Sequence, residues 1–133
     1  MIFNKLFRKK SLGQWGEEQA AEIYKSKGFE VLDRNYFNRR GKQVGEIDLV
    51  AAKDKLIVFI EVKTRSSDRY GSPADAVNQF KQQKLLKSCK IFIQNHPQYQ
   101  EYQMRIDVVE IKANLDRSEK SVNIIENAVE DSF

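Results

Sequence analysis

Gly45-Glu46-Ile47-Asp48-Leu49-Val50-Ala51-Ala52-Lys53-Asp54-Lys55-Leu56-Ile57-Val58-Phe59-Ile60-Glu61-Val62-Lys63 is the stretch that decides how this chain folds. Apolar runs on either side of Lys53-Asp54-Lys55 read as strand, polar turn, strand, so Glu46 and Asp48 return to the same end of a hairpin as Glu61 and Lys63. Successive strand residues face opposite ways, and directly opposed antiparallel residues face the same way. Asp48 therefore shares a face with Glu61 and Lys63 only if paired residue numbers sum to an odd value. A two-residue tip at Lys53 and Asp54 would pair Ala52 with Lys55 and set Glu46 opposite Glu61. A four-residue loop from Lys53 to Leu56 pairs Ala52 with Ile57 and sets Asp48 opposite Glu61, and this second register is the one expected. An odd loop without a compensating bulge would throw Asp48 to the other face.

The strand Leu56 to Lys63 is apolar on both sides until it reaches Glu61 and Lys63, as in a sheet with helices on each face. An acid and a base at the rim of such a core must be paired or coordinate a cation, because desolvating a lone charge there costs several kcal/mol. One solution is a cross-strand salt bridge from Lys63 to Asp48 or Glu46. The other is a metal site, which the conjunction of Gly-Glu-Ile-Asp, an apolar strand and Glu-Val-Lys favours. Carboxylate oxygens suit Mg²⁺ or Mn²⁺. Zinc fits poorly, since the chain has one cysteine, Cys89, and one histidine, His96, neither near the acids in sequence. Lys63 would orient water or steady charge on a phosphate.

Gly45-Glu46-Ile47-Asp48-Leu49-Val50 followed by Val58-Phe59-Ile60-Glu61-Val62-Lys63-Thr64-Arg65 resembles the active-site hairpin of the PD-(D/E)xK, restriction-endonuclease-like nucleases. Within that superfamily the chain is most similar to the small bacterial YraN-like (UPF0102) family, related to archaeal Holliday-junction resolvases, over about Leu12 to Ile111. The resemblance implies that Asp48 and Glu61 bind the divalent metal and that Asp48, Glu61 and Lys63 form the catalytic set. Ile47 stands where the motif's name has proline, a position that is not a ligand.

Ser11-Leu12-Gly13-Gln14 has a capping-box pattern, and the segment to Lys27 is helix-forming before Gly28 stops it. Glu17's neighbours three and four residues away are small or aromatic, so it borders the packed face, whereas Glu18 is more solvated. Acids in a first turn also simply favour the positive helix end. Resolvases similarly carry a helix glutamate four residues after a glycine, and Gly13 to Glu17 fits, which makes Glu17 the candidate additional metal ligand and Glu46 a supporting acid.

The 133 residues, 41% hydrophobic and 32% charged, describe one globular domain, which the resemblance makes nuclease-like, with a basic segment over 1–10 and an acidic one over 113–133 that holds a short edge strand. No apolar run is long enough to span a membrane, no signal-peptide core appears, and the single cysteine suits a reducing cytoplasm. The net charge of +4 is unevenly spread. Lys5, Arg8, Lys9 and Lys10 open the chain; Arg34, Arg39, Arg40 and Lys42 form a second cluster; Lys81, Lys84, Lys87 and Lys90 recur every third residue. The stretch from Ala113 has five acids against two bases. A basic excess beside the motif suits a polyanion, with Arg39, Arg40, Lys42, Arg65, Lys81 and Lys84 as the expected nucleic-acid contacts. A solvated lysine-rich surface is the alternative reading.

Elsewhere, Phe29 to Arg34 reads as a strand and Asn35 to Val44 as a loop. Thr64 to Gly71 reads as a polar loop, and Ser72-Pro73 as the start of a helix running from Ala74 towards Gln94. Met104 to Lys112 and Val122 to Ile125 read as strands. Cys89 and His96 receive no role, and Asp107 is expected to be a structural partner. The order α-β-β-β-α-β-β fits an α/β domain with a central mixed sheet flanked by helices, which the resemblance above makes restriction-endonuclease-like. The function that the acidic motif and the resemblance imply is an Mg²⁺- or Mn²⁺-dependent nuclease acting on DNA, including branched or structured DNA, with a homodimer suggested by resemblance to resolvases. The rival is a non-catalytic nucleic-acid-binding protein that keeps the fold.

Overall fold

The computed structural model describes residues 10–36, 45–67 and 79–129. Helix α1 spans Leu12–Ser26, and strands β1, β2 and β3 span Glu30–Tyr36, Ile47–Lys53 and Leu56–Ser66. Helix α2 (Gln79–Asn95), a 3₁₀ turn (Pro97–Tyr99), β4 (Gln103–Ala113) and β5 (Lys120–Ile125) follow. The five strands form one sheet in chain order, antiparallel throughout except for the β3–β4 pair, which is parallel and is connected through α2. Among the described residues this is the mixed sheet flanked by helices that the sequence implied.

The boundaries have local causes. Ser11 caps α1 by accepting from the Gln14 N–H, while the Gln14 side chain accepts from the Ser11 N–H. Gly28, at φ +91°, ends the helix in a conformation that L side chains rarely adopt, and Phe29 N–H then donates back to the Tyr24 carbonyl at 3.0 Å. β1 reaches Tyr36, two residues beyond the expected end, because Tyr36 still pairs with Ile47.

The central hairpin has the expected register: Ala52 pairs with Ile57 and Leu49 with Ile60, so Asp48 and Glu61 stand one step further on. Its tip is shorter than expected. Lys53 pairs with Leu56, leaving only Asp54 and Lys55 to turn, both at positive φ (49° and 63°). That is the geometry of a two-residue turn whose twist matches the strands, here adopted without glycine.

Both faces of β3 are covered. On one, Ala20, Ala21 and Tyr24 of α1 pack against Leu49, Ala51, Val58, Ile60, Val109 and Ile111. On the other, Leu85, Cys89 and Phe92 of α2 pack against Val50, Ile57, Phe59 and Ile106. Each large side chain buried this fully contributes about 1.5–3 kcal/mol. His96, partly buried, stacks on Phe92 at the edge of the α2 layer, and Cys89 is fully buried within it. Asp107 is buried and accepts from the Tyr24 hydroxyl at 2.7 Å, from Arg105 at 2.8 and 3.0 Å and from the Asn127 N–H at 3.0 Å. It is the structural partner expected, since four donors satisfy a carboxylate that could not otherwise be buried.

Candidate metal centre

The start of β2, the later half of β3 and the first turns of α1 meet at one end of the sheet. Gly16 makes the approach of α1 close: a Cβ there would stand 2.0 Å from Thr64 Oγ1 and 3.0 Å from Thr64 Cβ. Only glycine lets the helix axis sit so near β3. The next residue, Glu17, is thereby carried to the end of the hairpin.

Carboxylate oxygens of Glu17, Glu46 and Asp48 all lie within 4.8 Å of one another. Glu46, expected only to support the site, is thus a full member of the cluster. Glu61 lines the same pocket as Glu46 and Asp48, together with Gly45, Lys63, Lys81, Lys84 and Leu85, around a volume of about 290 Å³. Lys63 pairs with Glu61 of its own strand at 3.2 Å, not with Asp48 or Glu46 across the hairpin as the salt-bridge reading would have it.

The carboxylates are under electrostatic stress. Asp48 is pushed up to about 8 by burial and by the negative charges of Glu61, Glu17 and Glu46, opposed by the Val62 N–H that donates to its Oδ2 at 2.8 Å. Glu17 is raised as well, mainly by burial and then by Glu46 and Glu61, with Asn35 pulling the other way. Asn35, at φ 53°, reaches between the two glutamates; with its amide nitrogen inward it donates to Glu46 Oε1 at 2.7 Å and to Glu17 at 3.2 Å. Glu18, by contrast, is drawn off to the exposed surface by Lys10.

Such a donor set fits a hard divalent cation. Three carboxylates bring oxygen only, and neutralising their mutual repulsion is what a cation does. In an octahedron with metal–oxygen distances of about 2.1 Å, neighbouring oxygens are about 3 Å apart and opposite ones about 4.2 Å. The observed spread, up to 4.8 Å, is within about 0.6 Å of the larger of those distances. A cation at this cluster would be held by Asp48, Glu17 and Glu46, with Glu61 lining the same pocket.

Residues 16–111 match the model of the Uncharacterised protein family UPF0102. The chain belongs to that family. A UPF0102 protein of Clostridium botulinum is 40% identical over 119 residues, covering 90% of this chain and 94% of its own length. One from Caldanaerobacter subterraneus subsp. tengcongensis is 38% identical over 125 residues, covering 93% and 98%. One from Caldicellulosiruptor saccharolyticus is 39% identical over 120 residues, covering 90% and 98%. The UPF0102 match runs from Gly16, at the close approach, to Ile111 on β4, and so includes Glu17, Glu46, Asp48, Glu61 and Lys63.

The expected nucleic-acid contacts divide. Lys81 and Lys84 of α2 line the pocket, and the Lys84 ammonium also lies 4.5 Å over the exposed Phe80 ring. Arg65 lies two residues beyond Lys63 and thus on the same face of β3, level with Lys112 of β4. Arg39, Arg40 and Lys42, and the Ser72-Pro73 helix start, fall outside the described residues. The Asn35 contribution was hidden in the sequence because it depends on a positive φ; an asparagine just before an arginine-rich loop was its only signal.

Proposed function

We propose that this protein is a divalent-metal-dependent phosphodiesterase acting on nucleic acid, with DNA, including branched or structured DNA, as its substrate class. The observation that carries the reading is the convergence of the Glu17, Glu46 and Asp48 carboxylates in a pocket shared with Glu61, Lys63, Lys81 and Lys84. Acids alone would repel a polyanion; the flanking ammonium groups supply the attraction that lets one approach.

The protein's own groups divide the work. Asp48, Glu17 and Glu46 would hold Mg²⁺ or Mn²⁺, which when bound lowers the pKa of water and polarises the phosphate. Glu61, expected with Asp48 to bind the metal, lines the same pocket and would reach the cation as a further ligand, or orient the attacking water and take up its proton. Lys63, 18% exposed and held by Glu61, is placed to meet the charge that grows on the phosphoryl oxygens in the transition state. Lys81 and Lys84 grip neighbouring phosphates, and Arg65 extends the cationic face. Cutting two strands symmetrically would require two copies of the chain.

The test is cleavage of linear, flap and four-way DNA in Mg²⁺ or Mn²⁺ by the wild type and by Asp48→Ala, Glu61→Ala and Lys63→Ala. Cleavage by the wild type with a fall of roughly 100-fold or more in each variant is expected. Activity that survives all three substitutions refutes the assignment. Binding without cleavage across metals and substrates would instead favour a nucleic-acid-binding protein that keeps the fold.

A further inference from the structure

β2 begins at Ile47, so Gly45 and Glu46 lie ahead of the sheet's hydrogen-bond ladder and must be positioned by something else. Helix α2 does it. The Gly45 N–H donates to the Lys84 carbonyl at 3.3 Å, and the Ser88 hydroxyl donates to the Gly45 carbonyl. Ser88 is fully buried, and its other acceptor is the carbonyl of Lys84 one turn back at 3.2 Å, the habitual partner of a helical serine. A hydroxyl has a single proton, and the bond to Gly45 is the one that reaches outside the helix. Crowding does not explain the fit: a Cβ on Gly45 would meet Leu85 N at 3.5 Å and the Lys84 carbonyl carbon at 3.6 Å, both ordinary contacts. The segment is therefore held by hydrogen bonds, and Ser88 supplies the one that does not come from backbone N–H.

We propose that Ser88 is a positioning residue for the carboxylate centre: by fixing Gly45 against α2, it aims the Glu46 carboxylate at Glu17 and Asp48. The inference rests on the metal-dependent reading above. It also ties the two halves of the site together, because the helix that carries Lys81 and Lys84 into the pocket is the one that holds the Glu46 arm. A serine buried only to fill space would contribute to stability and leave cation affinity alone.

Mn²⁺ affinity of the full chain, read from the electron paramagnetic resonance signal of the free ion, separates these roles. Ser88→Ala is expected to weaken Mn²⁺ binding about tenfold, the lower end of the 10–100-fold losses seen when groups behind metal ligands are removed. Ser88→Thr, which keeps the hydroxyl, restores it. Hydrogen exchange at the Gly45 amide speeds up in Ser88→Ala and not in Ser88→Thr. Cys89→Ala removes a buried side chain from the same helix outside the site, and keeps wild-type Mn²⁺ affinity whatever stability it loses. If Ser88→Ala fails to fold, Ser88→Cys, with similar volume and a weak donor, takes its place. Wild-type affinity in Ser88→Ala, or an equal loss in Cys89→Ala, overturns the role of Ser88 while the metal centre stands, provided Asp48→Asn abolishes binding. Absence of Mn²⁺ binding in the wild type overturns both.

Discussion

Replacing Asp48 with asparagine is expected to stabilise the metal-free protein while destroying its function. The side chain keeps its shape and its amide oxygen can still accept from the Val62 N–H, so what changes is the charge. In the folded protein Asp48 is raised from 3.8 to about 8 by burial and three neighbouring carboxylates. The native state therefore holds a proton that the unfolded chain releases, and wild-type stability declines as pH rises from about 3.8 to about 8. Asparagine has no such decline. At pH 7 about three units of that interval have been crossed, and at about 1.4 kcal/mol per unit the ceiling on the gain is about 4 kcal/mol. Water entering the open pocket raises the effective dielectric and brings the expected gain to about 1–2 kcal/mol. Urea unfolding of both proteins in EDTA between pH 4 and pH 9 measures it. The difference should be near zero at pH 4, grow with pH and level off above about 8. An Asp48→Asn variant that is less stable at pH 7, or a difference that does not change with pH, would refute the claim that the cluster is an electrostatic burden kept for function.

Three further outcomes follow from the same geometry. Gly16→Ala gains up to about 1 kcal/mol of helix propensity, but a Cβ 2.0 Å from Thr64 Oγ1 forces α1 off β3. The net result expected by calorimetry is destabilisation of about 1–2 kcal/mol with weaker Mn²⁺ binding, because Glu17 retreats with the helix. Tyr24→Phe removes a donor from buried Asp107 and should cost about 1–3 kcal/mol in urea unfolding while leaving Mn²⁺ affinity unchanged. Binding of Mn²⁺ at pH 7 should release up to about one proton, since Asp48 must ionise to coordinate, and the release should vanish at pH 9. Isothermal titration in buffers of different ionisation enthalpy reads it, and a pH-independent proton count would contradict the shift.

The hairpin and its register were legible because a period of two leaves few options: apolar runs on both sides of a charged tip bring Asp48 and Glu61 to one face only for an odd sum, and Leu49 pairs with Ile60 accordingly. Helix α1 was legible because Ser11, Gln14 and Gly28 act locally, through caps and a positive φ. The distinction between Glu17 and Glu18 followed from the packed neighbours of one and the solvated neighbours of the other. What escaped reading depends on encounters between distant segments. Glu46 joins Glu17 because Gly16 fits over Thr64, 48 positions later, and Ser88 meets Gly45 from a separate helix. Lys63 finds Glu61 on its own strand, since residues two apart share a face as surely as residues across a hairpin do. The tip is two residues, Asp54 and Lys55, and not four, because two non-glycine residues in succession take a positive φ that such residues rarely adopt.

The central claim is that Glu17 of α1, Asp48 of β2 and Glu46 just ahead of it gather around one cation. Anomalous diffraction from crystals soaked in Mn²⁺ tests it directly. The account requires a single strong peak about 2.1 Å from carboxylate oxygens of Glu17, Glu46 and Asp48. A map with no peak among those oxygens at saturating Mn²⁺ would contradict it.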